Sequence, residues 1–580
     1  MNKLIALLGI LVLASVSSVS IAADRVGDFA LLDQDGYFHK MSYYDDHKAI
    51  AFLVQGNSSK ATASAIDQFE ALQEQYSEVK FFMINSSGSE SRADVKKALA
   101  KYKSDIPVLM DDAQLISEAM GVSRTGEVFL FSPTNFTVLY RGPVKSGLDA
   151  AIKNVLADEE IKNPQIAMKG SDVSYPAQKK HEKGISYAED VAPILADNCA
   201  RCHREGGIAP FAMNSHAMIQ GWAPMIREVL LTKRMPPGQI DPMVGHFKET
   251  YTLTPSETQT VVHWVEAGAK KDGKEDPLAQ LTWPETKWAF GEPDLIIKVP
   301  EQKIPATGVL DYITVNVPID IDKDRWVRAS QYVAGDRTVL HHTLNNVVPP
   351  LKPGEKRQRG GFLGGGNPDA PSITAYIPGA EPYHEPPNTG GLLKKGSSIN
   401  LQLHYTTTGK ATTDASEIGV WFYPEDQVPT ERMGGQCACI FINGWDPIPP
   451  FEPDHEMTKS VTLDRDAYLY SMLPHMHFRG KRMRFYAEFP DGRREQLINI
   501  ANYNYNWQLS YQLEEPLFLP AGTKMVAVGA FDNSAQNKAN PDPSRTVPWG
   551  QQSWDEMFFG SMNWKYANQN TSTDDSVASQ

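Results

Sequence analysis

The spacing of hydrophobic residues changes character along the chain. Between residues 24 and 160, continuous apolar runs at 49–54 and 79–84 alternate with stretches of helical spacing at 62–76 and 93–102. A strand at 106–110 and paired strands at 127–131 and 137–140 follow. Continuous apolar runs separated by helical segments belong to a sheet covered on both faces, so an α/β body is expected here. Helical spacing continues at 187–198, 216–231 and 256–267, which predicts a small α-helical domain over 184–275. The polar, proline-bearing stretch 161–183 reads as a linker. From about Trp283 helical spacing fades into short alternating runs between Pro, Gly, Asn and Asp turns. Examples are 295–299, 312–317, 326–333, 338–348, 399–405, 418–422, 439–443, 467–472, 483–489, 525–531 and 557–564. That is too many strands for one sandwich and predicts two, over 284–435 and 436–566, before a polar tail at 567–580 expected to be disordered.

A chain of 580 residues has room for several domains, each with its own core. The net charge of −14 argues against nucleic acid and against an anionic membrane surface. It suits a cationic partner such as a basic electron carrier, although plain solubility also accounts for it. The N-terminus reads as a secretory signal over 1–23: Lys3 is followed by the apolar run 4–14 and by small residues around Ala22 and Ala23. The run is short for a spanning helix and no other segment is apolar enough for one. A periplasmic or secreted protein is expected, with an uncleaved anchor as the alternative. The four cysteines fall in two close pairs, Cys199/Cys202 and Cys437/Cys439, which is no disulfide framework.

Candidate chemistry begins at His475-Met-His477. Residues i and i+2 of a strand share a face, so both imidazoles aim one way and Met476 the other, a half-site for copper or zinc. Alone, His-x-His is more often coincidence. Here it has company among only 14 histidines: His341 and His342 lie in a second predicted strand, and His404 ends the alternating run 399–404. The most specific motif is Cys199-Ala-Arg-Cys-His203, the attachment signature of c-type haem. Its thiols add to the haem vinyl groups and His203 ligates the iron. Met235, in the proline-stiffened run Arg234-Met-Pro-Pro-Gly238, is the candidate second axial ligand; Met213, Met218, Met225, Met243, His216 and His246 compete. A plain disulfide or half a zinc site would be alternatives. No second zinc-type ligand pair is present, and export favours haem.

Residues 24–160 resemble the redoxin branch of the thioredoxin fold in the 49–54 strand with its loop, in Ser123-Arg-Thr-Gly-Glu-Val-Phe129 and in Tyr140-Arg-Gly-Pro143. Where that family carries its reactive cysteine this chain has Gly56-Asn-Ser-Ser59, and its usual proline is Gly126. With no cysteine, thiolate chemistry is impossible there. The expectation is a redox-dead scaffold or docking module, with a small-molecule site in the vestigial pocket as the alternative.

Residues 285–565 resemble the copper type II, ascorbate-dependent monooxygenases, the family of the peptidylglycine and dopamine β-monooxygenases. The motifs His341-His342, Leu401-Gln-Leu-His-Tyr405, His475-Met-His477 and Asp555-Glu-Met557 occur in the family's order. The resemblance implies one copper on His341, His342 and His404 of the first sandwich, passing electrons. It implies a second on His475, His477 and Met557 of the other, where oxygen is activated; a thioether favours Cu(I). Leu473, Phe559 and Ser561 stand where the peptide-hydroxylating member grips a peptide carboxylate, which points away from a glycine-ended peptide and toward a less polar substrate. Cys437-Ala-Cys439 could be a strained disulfide, a soft metal site or two free thiols.

The resulting expectation is an exported haem- and copper-dependent monooxygenase holding two copper ions and one covalent haem c. It would hydroxylate a C–H bond of a small-molecule substrate with O2. Electrons would come from a periplasmic donor through haem to the three-histidine copper and on to the other. The alternatives are a periplasmic electron-transfer or copper-handling protein without substrate oxidation, and a scaffold recruited through the redoxin domain.

Overall fold

Strand β3 (Ala49–Gln55) is buried at every position. Its odd residues Ala49, Ala51 and Leu53 pack into one core, and its even residues Ile50, Phe52 and Val54 into another. A strand buried on both faces must be central, and β3 is the inner member of a seven-stranded sheet. With β1 (Ala30–Asp33), β2 (Phe38–Lys40), β4 (Val79–Asn85), β5 (Val108–Met110), β6 (Val128–Phe131) and β7 (Val138–Gly142), the order is β2-β1-β5-β4-β3-β6-β7. β3, β4 and β5 run parallel, while β6 and β7 return antiparallel. Helix α1 (Lys60–Gln75) starts where the Ser59 side chain accepts from the Thr62 N–H, and α2 (Arg92–Tyr102) where Ser91 and Asp94 form a capping box. This is a thioredoxin-like domain. At Gly126 φ is +81° and a Cβ would lie 2.8 Å from Ala61, so a proline, confined to negative φ, does not fit this loop.

The computed structural model describes residues 25–238, 240–248, 250, 252–283, 287–350, 371–379 and 382–567. The expected signal segment, residues 1–23, and nearly all of the expected tail lie outside them. Among the described residues no helix is long and apolar enough to cross a membrane.

The stretch 161–183 is not a bare linker. Gln165 bridges to Arg141 and Asp172 to Arg124, the Val173 N–H donates to the Ser123 carbonyl at 3.0 Å, and a short helix Pro176–His181 follows. Ile161, Ile166 and Val173 pack against the cores of the thioredoxin-like domain and the Tyr175 hydroxyl donates to the Val122 carbonyl, so the stretch is held to it by side chains as well as backbone.

The helical body has helices Ala192–Asn198, His216–Leu231 and Pro255–Glu266 around Tyr187, Leu195, Ile219 and Trp264. The first expected helix is broken, since Tyr187–Val191 forms a π-turn ahead of it. Leu231 and Val262 are buried in a core of the thioredoxin-like domain, so the two bodies share apolar surface. From Gly238 the chain reaches the last domain: Ile240 enters its core, and the Asp241 N–H donates to the Asn499 carbonyl. Asp241 also pairs with Arg92 at 2.6 Å and accepts from Asn499 Nδ2 at 2.9 Å, joining three bodies at one buried carboxylate.

The first β-sandwich packs a three-stranded sheet (Ile313–Pro318, Ser398–Tyr405, Leu340–Val348) against a larger one centred on Arg325–Val333 and Glu417–Phe422. The second pairs two four-stranded sheets. One runs Gly434–Ile440, Phe558–Tyr566, Ala467–His475, Tyr511–Leu519; the other runs His455–Thr462, Lys524–Phe531, Gly480–Glu488, Arg494–Ile500. The strands His455–Thr462 and Tyr511–Leu519 were not legible in the hydrophobic pattern because their burial is sparse. The strand expected at 439–443 lies at Gly434–Ile440, whose first half carries no apolar alternation.

Candidate functional site

Two consecutive strand residues normally face opposite sides. His341 and His342 escape this because the pairing of Leu340–Val348 with Ser398–Tyr405 shifts register between Leu340 and His342. Such a bulge re-aims a side chain. The two Nδ1 atoms stand 2.7 Å apart. His342 sits directly across the ladder from His404, with ring centroids 3.9 Å apart. Tyr312 from the next strand stacks on His404 at 3.4 Å. His404 Nε2 bonds the Gln402 side-chain oxygen, and two buried nitrogens, His342 Nε2 and His404 Nδ1, have no hydrogen-bond partner. Burial, then the neighbouring imidazoles, pushes His404 down to about 3 and His342 well below the usual range. Both rings are neutral at neutral pH, the form in which imidazole ligates a metal.

On the second sandwich the strand ends at His475 instead of carrying both histidines as expected, so His477 stands on the loop just beyond it. Both rings are buried, 5.2 Å apart and nearly perpendicular, while Met476 is wholly buried in the apolar core. Their second nitrogens are occupied. Gln508 donates its Nε2 to the Tyr505 carbonyl, which leaves its oxygen to accept from His475 Nδ1–H at 2.6 Å. His477 Nδ1–H donates to the Asp555 carbonyl at 3.3 Å. A carbonyl can only accept, so each ring keeps its Nε2 lone pair for a ligand. Burial pushes His475 down to about 4. The loop is held by Glu556, which accepts the His477 and Arg479 backbone N–H groups at 2.8 and 2.6 Å. Arg479, wholly buried, reaches Asn533 and the Trp554 and Asp542 carbonyls.

Met557 immediately precedes the strand Phe558–Tyr566, in which Phe559 pairs with His475. Its neighbours in sequence hold the His477 loop, Glu556 accepting the His477 N–H at 2.8 Å and the Asp555 carbonyl accepting its Nδ1–H, so that this loop lies beside Met557. Its side chain is buried among Cys439, Phe559, Cys437 and Trp549. Phe559 stacks on His475 at 5.6 Å and Leu473 faces Ser561 across the ladder, so the wall beside these histidines is largely apolar.

The two histidine groups face each other. Tyr505, on the second sandwich, stacks on His341 at 4.7 Å and stands edge-on to His477 at 6.1 Å. Its hydroxyl and that of Tyr312 both bond Ser553 Oγ, at 2.6 and 2.8 Å. Tyr505, Gln508, Glu556 and Tyr312 carry no role in the sequence reading, although Glu556 sits inside the motif Asp555-Glu-Met557, Tyr312 opens the run 312–317, and Tyr505 and Gln508 lie in the amide- and aromatic-rich run 502–508. Among the described residues no three His, Cys, Asp or Glu side chains already converge on one point as a metal cage. The donor chemistry nonetheless fits copper: buried neutral imidazoles, two of them with an orphaned nitrogen, and one thioether.

In the helical body, Cys199, Cys202 and His203 continue the helix Ala192–Asn198 as a turn, with the His203 N–H donating to the Cys199 carbonyl at 2.9 Å. Residues i, i+3 and i+4 of such a turn share a face. Cys199 and Cys202 are not joined in a disulfide, and His203 Nδ1–H donates to the Phe211 carbonyl at 3.1 Å, leaving Nε2 for an iron. These residues fit covalent haem. Met235 lies half-buried after the helix His216–Leu231, its N–H bonded to the Val229 carbonyl. Met213, whose N–H donates to the His203 carbonyl at 2.7 Å and whose side chain is in the helical core, is the nearer competitor along the backbone.

No family model matches the chain, and no curated protein does. Solved structures resemble about a quarter of it. A hypothetical protein from Sinorhizobium meliloti 1021 is 22% identical with a TM-score of 0.24, covering 27% of this chain and 97% of that one. A thioredoxin-like protein from Aeropyrum pernix is 16% identical with a TM-score of 0.20, covering 23% and 89%. The peroxidoxin BcpB from Mycobacterium tuberculosis is 20% identical with a TM-score of 0.20, covering 23% and 93%. Likenesses this slight decide nothing about activity. The thioredoxin-like character of the first domain rests on its own strand order and directions.

Proposed function

We propose that this chain is an exported haem- and copper-dependent monooxygenase that hydroxylates a C–H bond of a small, largely apolar substrate with O2. The observation that carries the reading is the meeting of four buried histidines and the half-buried His341 from two sandwiches, with Tyr505 between His341 and His477. Copper would be held by His341, His342 and His404 on one side and by His475, His477 and Met557 on the other; haem c would be held by Cys199, Cys202 and His203, with Met235 as the proposed second axial ligand. When bound, these groups supply one-electron transfer and the activation of oxygen.

The chain's own residues do the positioning. Gln508 and the Asp555 carbonyl fix the Nδ1–H tautomers, so that His475 and His477 present Nε2. Glu556 and Arg479 hold the loop between the strand end and the next strand. Phe559 and Leu473 leave no cation for a substrate carboxylate beside His475. The thioredoxin-like domain, without a cysteine, docks the helical body through Leu231, Val262 and the Glu118–His263 contact at 2.8 Å.

Metal and haem analysis of the purified protein tests the reading: one haem c and two coppers are expected. Ferrous haem mixed with oxygen and copper should reoxidise faster in the wild type than in His475→Ala; equal rates would remove the relay. Tight copper binding with no oxygen consumption under any reductant would instead make it an electron-transfer or copper-handling protein.

A further inference from the structure

Cys437 and Cys439 are paired with each other in this structure, two residues apart. A bridge closing so short a loop removes little chain entropy and staples nothing distant, so fold stability does not explain it. Its position does suggest a use. In the sheet that carries His475, Cys439 pairs with Phe559 and Phe559 pairs with His475, so the three lie in one row across adjacent strands and share a face. The neighbouring row is Cys437, Ser561 and Leu473. Met557 lies just before the strand Phe558–Tyr566 and His477 just beyond the strand that ends at His475, tied together through Glu556 and the Asp555 carbonyl. The cysteines therefore stand on the histidine face, one strand beyond Met557, and Met557 packs in one buried cluster with Cys439. Cys437 is half-buried and the more accessible of the pair, while Cys439 and Met557 are buried, at 6% and 5% exposed.

We propose that the dithiol form of Cys437 and Cys439, with the Met557 thioether, is a copper(I)-accepting site through which copper enters the histidine face. Two thiolates and a thioether are soft donors, and soft donors select Cu(I). In the closed form the sulfurs are tied to each other and the site is off. A dithiol reductant opens it: its two thiols become a disulfide, the Cys437–Cys439 bond breaks, and two electrons and two protons leave both cysteines as thiols. Binding Cu(I) then releases the thiol protons to solvent. The proposal rests on copper being the metal this chain uses, but not on the histidine groups being a monooxygenase.

The test uses the full-length haem-loaded protein, stripped of copper. One sample is reduced with dithiothreitol and desalted without oxygen, the other left oxidised, and both are titrated with Cu(I) against a chromophoric chelator. The reduced sample is expected to bind one more equivalent, with a near-ultraviolet sulfur-to-copper band. Cys437→Ser/Cys439→Ser should lose that equivalent and His475→Ala/His477→Ala should keep it. One equivalent of Cu(I) should also slow alkylation of both cysteines in the wild-type protein at least tenfold, read by mass spectrometry, which needs no variant to fold. Equal binding by reduced and oxidised protein, unprotected thiols, or an extra equivalent that survives in the cysteine variant would overturn the proposal. Loss of histidine-bound copper alone, with the extra equivalent intact, would sink the monooxygenase reading and leave this one standing.

Discussion

On the first sandwich His342 touches both His341 and His404; on the second, two imidazoles are held apart by groups outside the pair. His342 lies 3.9 Å from His404 and has an unpartnered nitrogen, whereas His475 and His477 each have Nδ1 committed to an oxygen. In the first group His341 and His404 each have Nε2 bonded to a side-chain amide oxygen, of Asn506 and Gln402, but His342 is placed by the neighbouring imidazoles. The second is preset, since its tautomers are fixed before any metal arrives. Its cost is a buried Arg479–Glu556 scaffold that the first group lacks. A site that only passes electrons tolerates looser ligands than one that must present a fixed open face to a substrate, and the contrast is the one the proposed division of labour calls for.

Four substitutions would break or sharpen the contrast. Arg479→Leu should have the largest effect. It removes the guanidinium hydrogen bonds to Asn533 and two carbonyls deep in the fold, a loss of about 3–5 kcal/mol at roughly 1–3 kcal/mol for each buried group left short of a partner. Thermal unfolding should report it, with copper lost from the second group while the first keeps its own; loss from both would show that the groups are not separable.

Glu385→Gln probes the first sandwich. Burial pushes Glu385 up to about 7 from 4.5, while Tyr383 and Thr389 donate to it. Between those values the folded state holds a proton that the unfolded state has released, so wild-type stability falls as pH rises from about 4.5 to 7 and then levels. The glutamine variant should match the wild type near pH 5 and exceed it at pH 8 by on the order of 2 kcal/mol. A melting-temperature difference that does not grow with pH would contradict this.

Gln508→Ala frees His475 to turn over and should weaken copper binding at the second group by about 10–100-fold, leaving the first unchanged in a chelator competition. Tyr505→Phe is expected to be mildest. The ring keeps its stacking on His341 and only the bond to Ser553 is lost, about 1 kcal/mol. Hydrogen exchange along Leu340–Val348 should barely change in Tyr505→Phe and should rise in Tyr505→Ala.

Much of the local structure was legible from residue order. The doubly buried β3 shows as an unbroken apolar run, and the helix starts at Ser59, Ser91 and Thr254 carry capping residues. Cys199, Cys202 and His203 share one turn because their spacing is helical. These are short-range properties, set by side-chain alternation and by the hydrogen bonds a chain end must satisfy.

What residue order left open was decided by pairing between distant strands. The bulge that turns His341 and His342 to one side exists only because Leu340–Val348 met Ser398–Tyr405 in a shifted register. Tyr505 became the piece between two histidine groups, and Cys439 came into line with Phe559 and His475, through contacts far apart in sequence. Register follows from which faces two sheets can bury together. No window of neighbouring residues contains that information, so the sequence by itself supplied the donors and the tertiary structure chose their company.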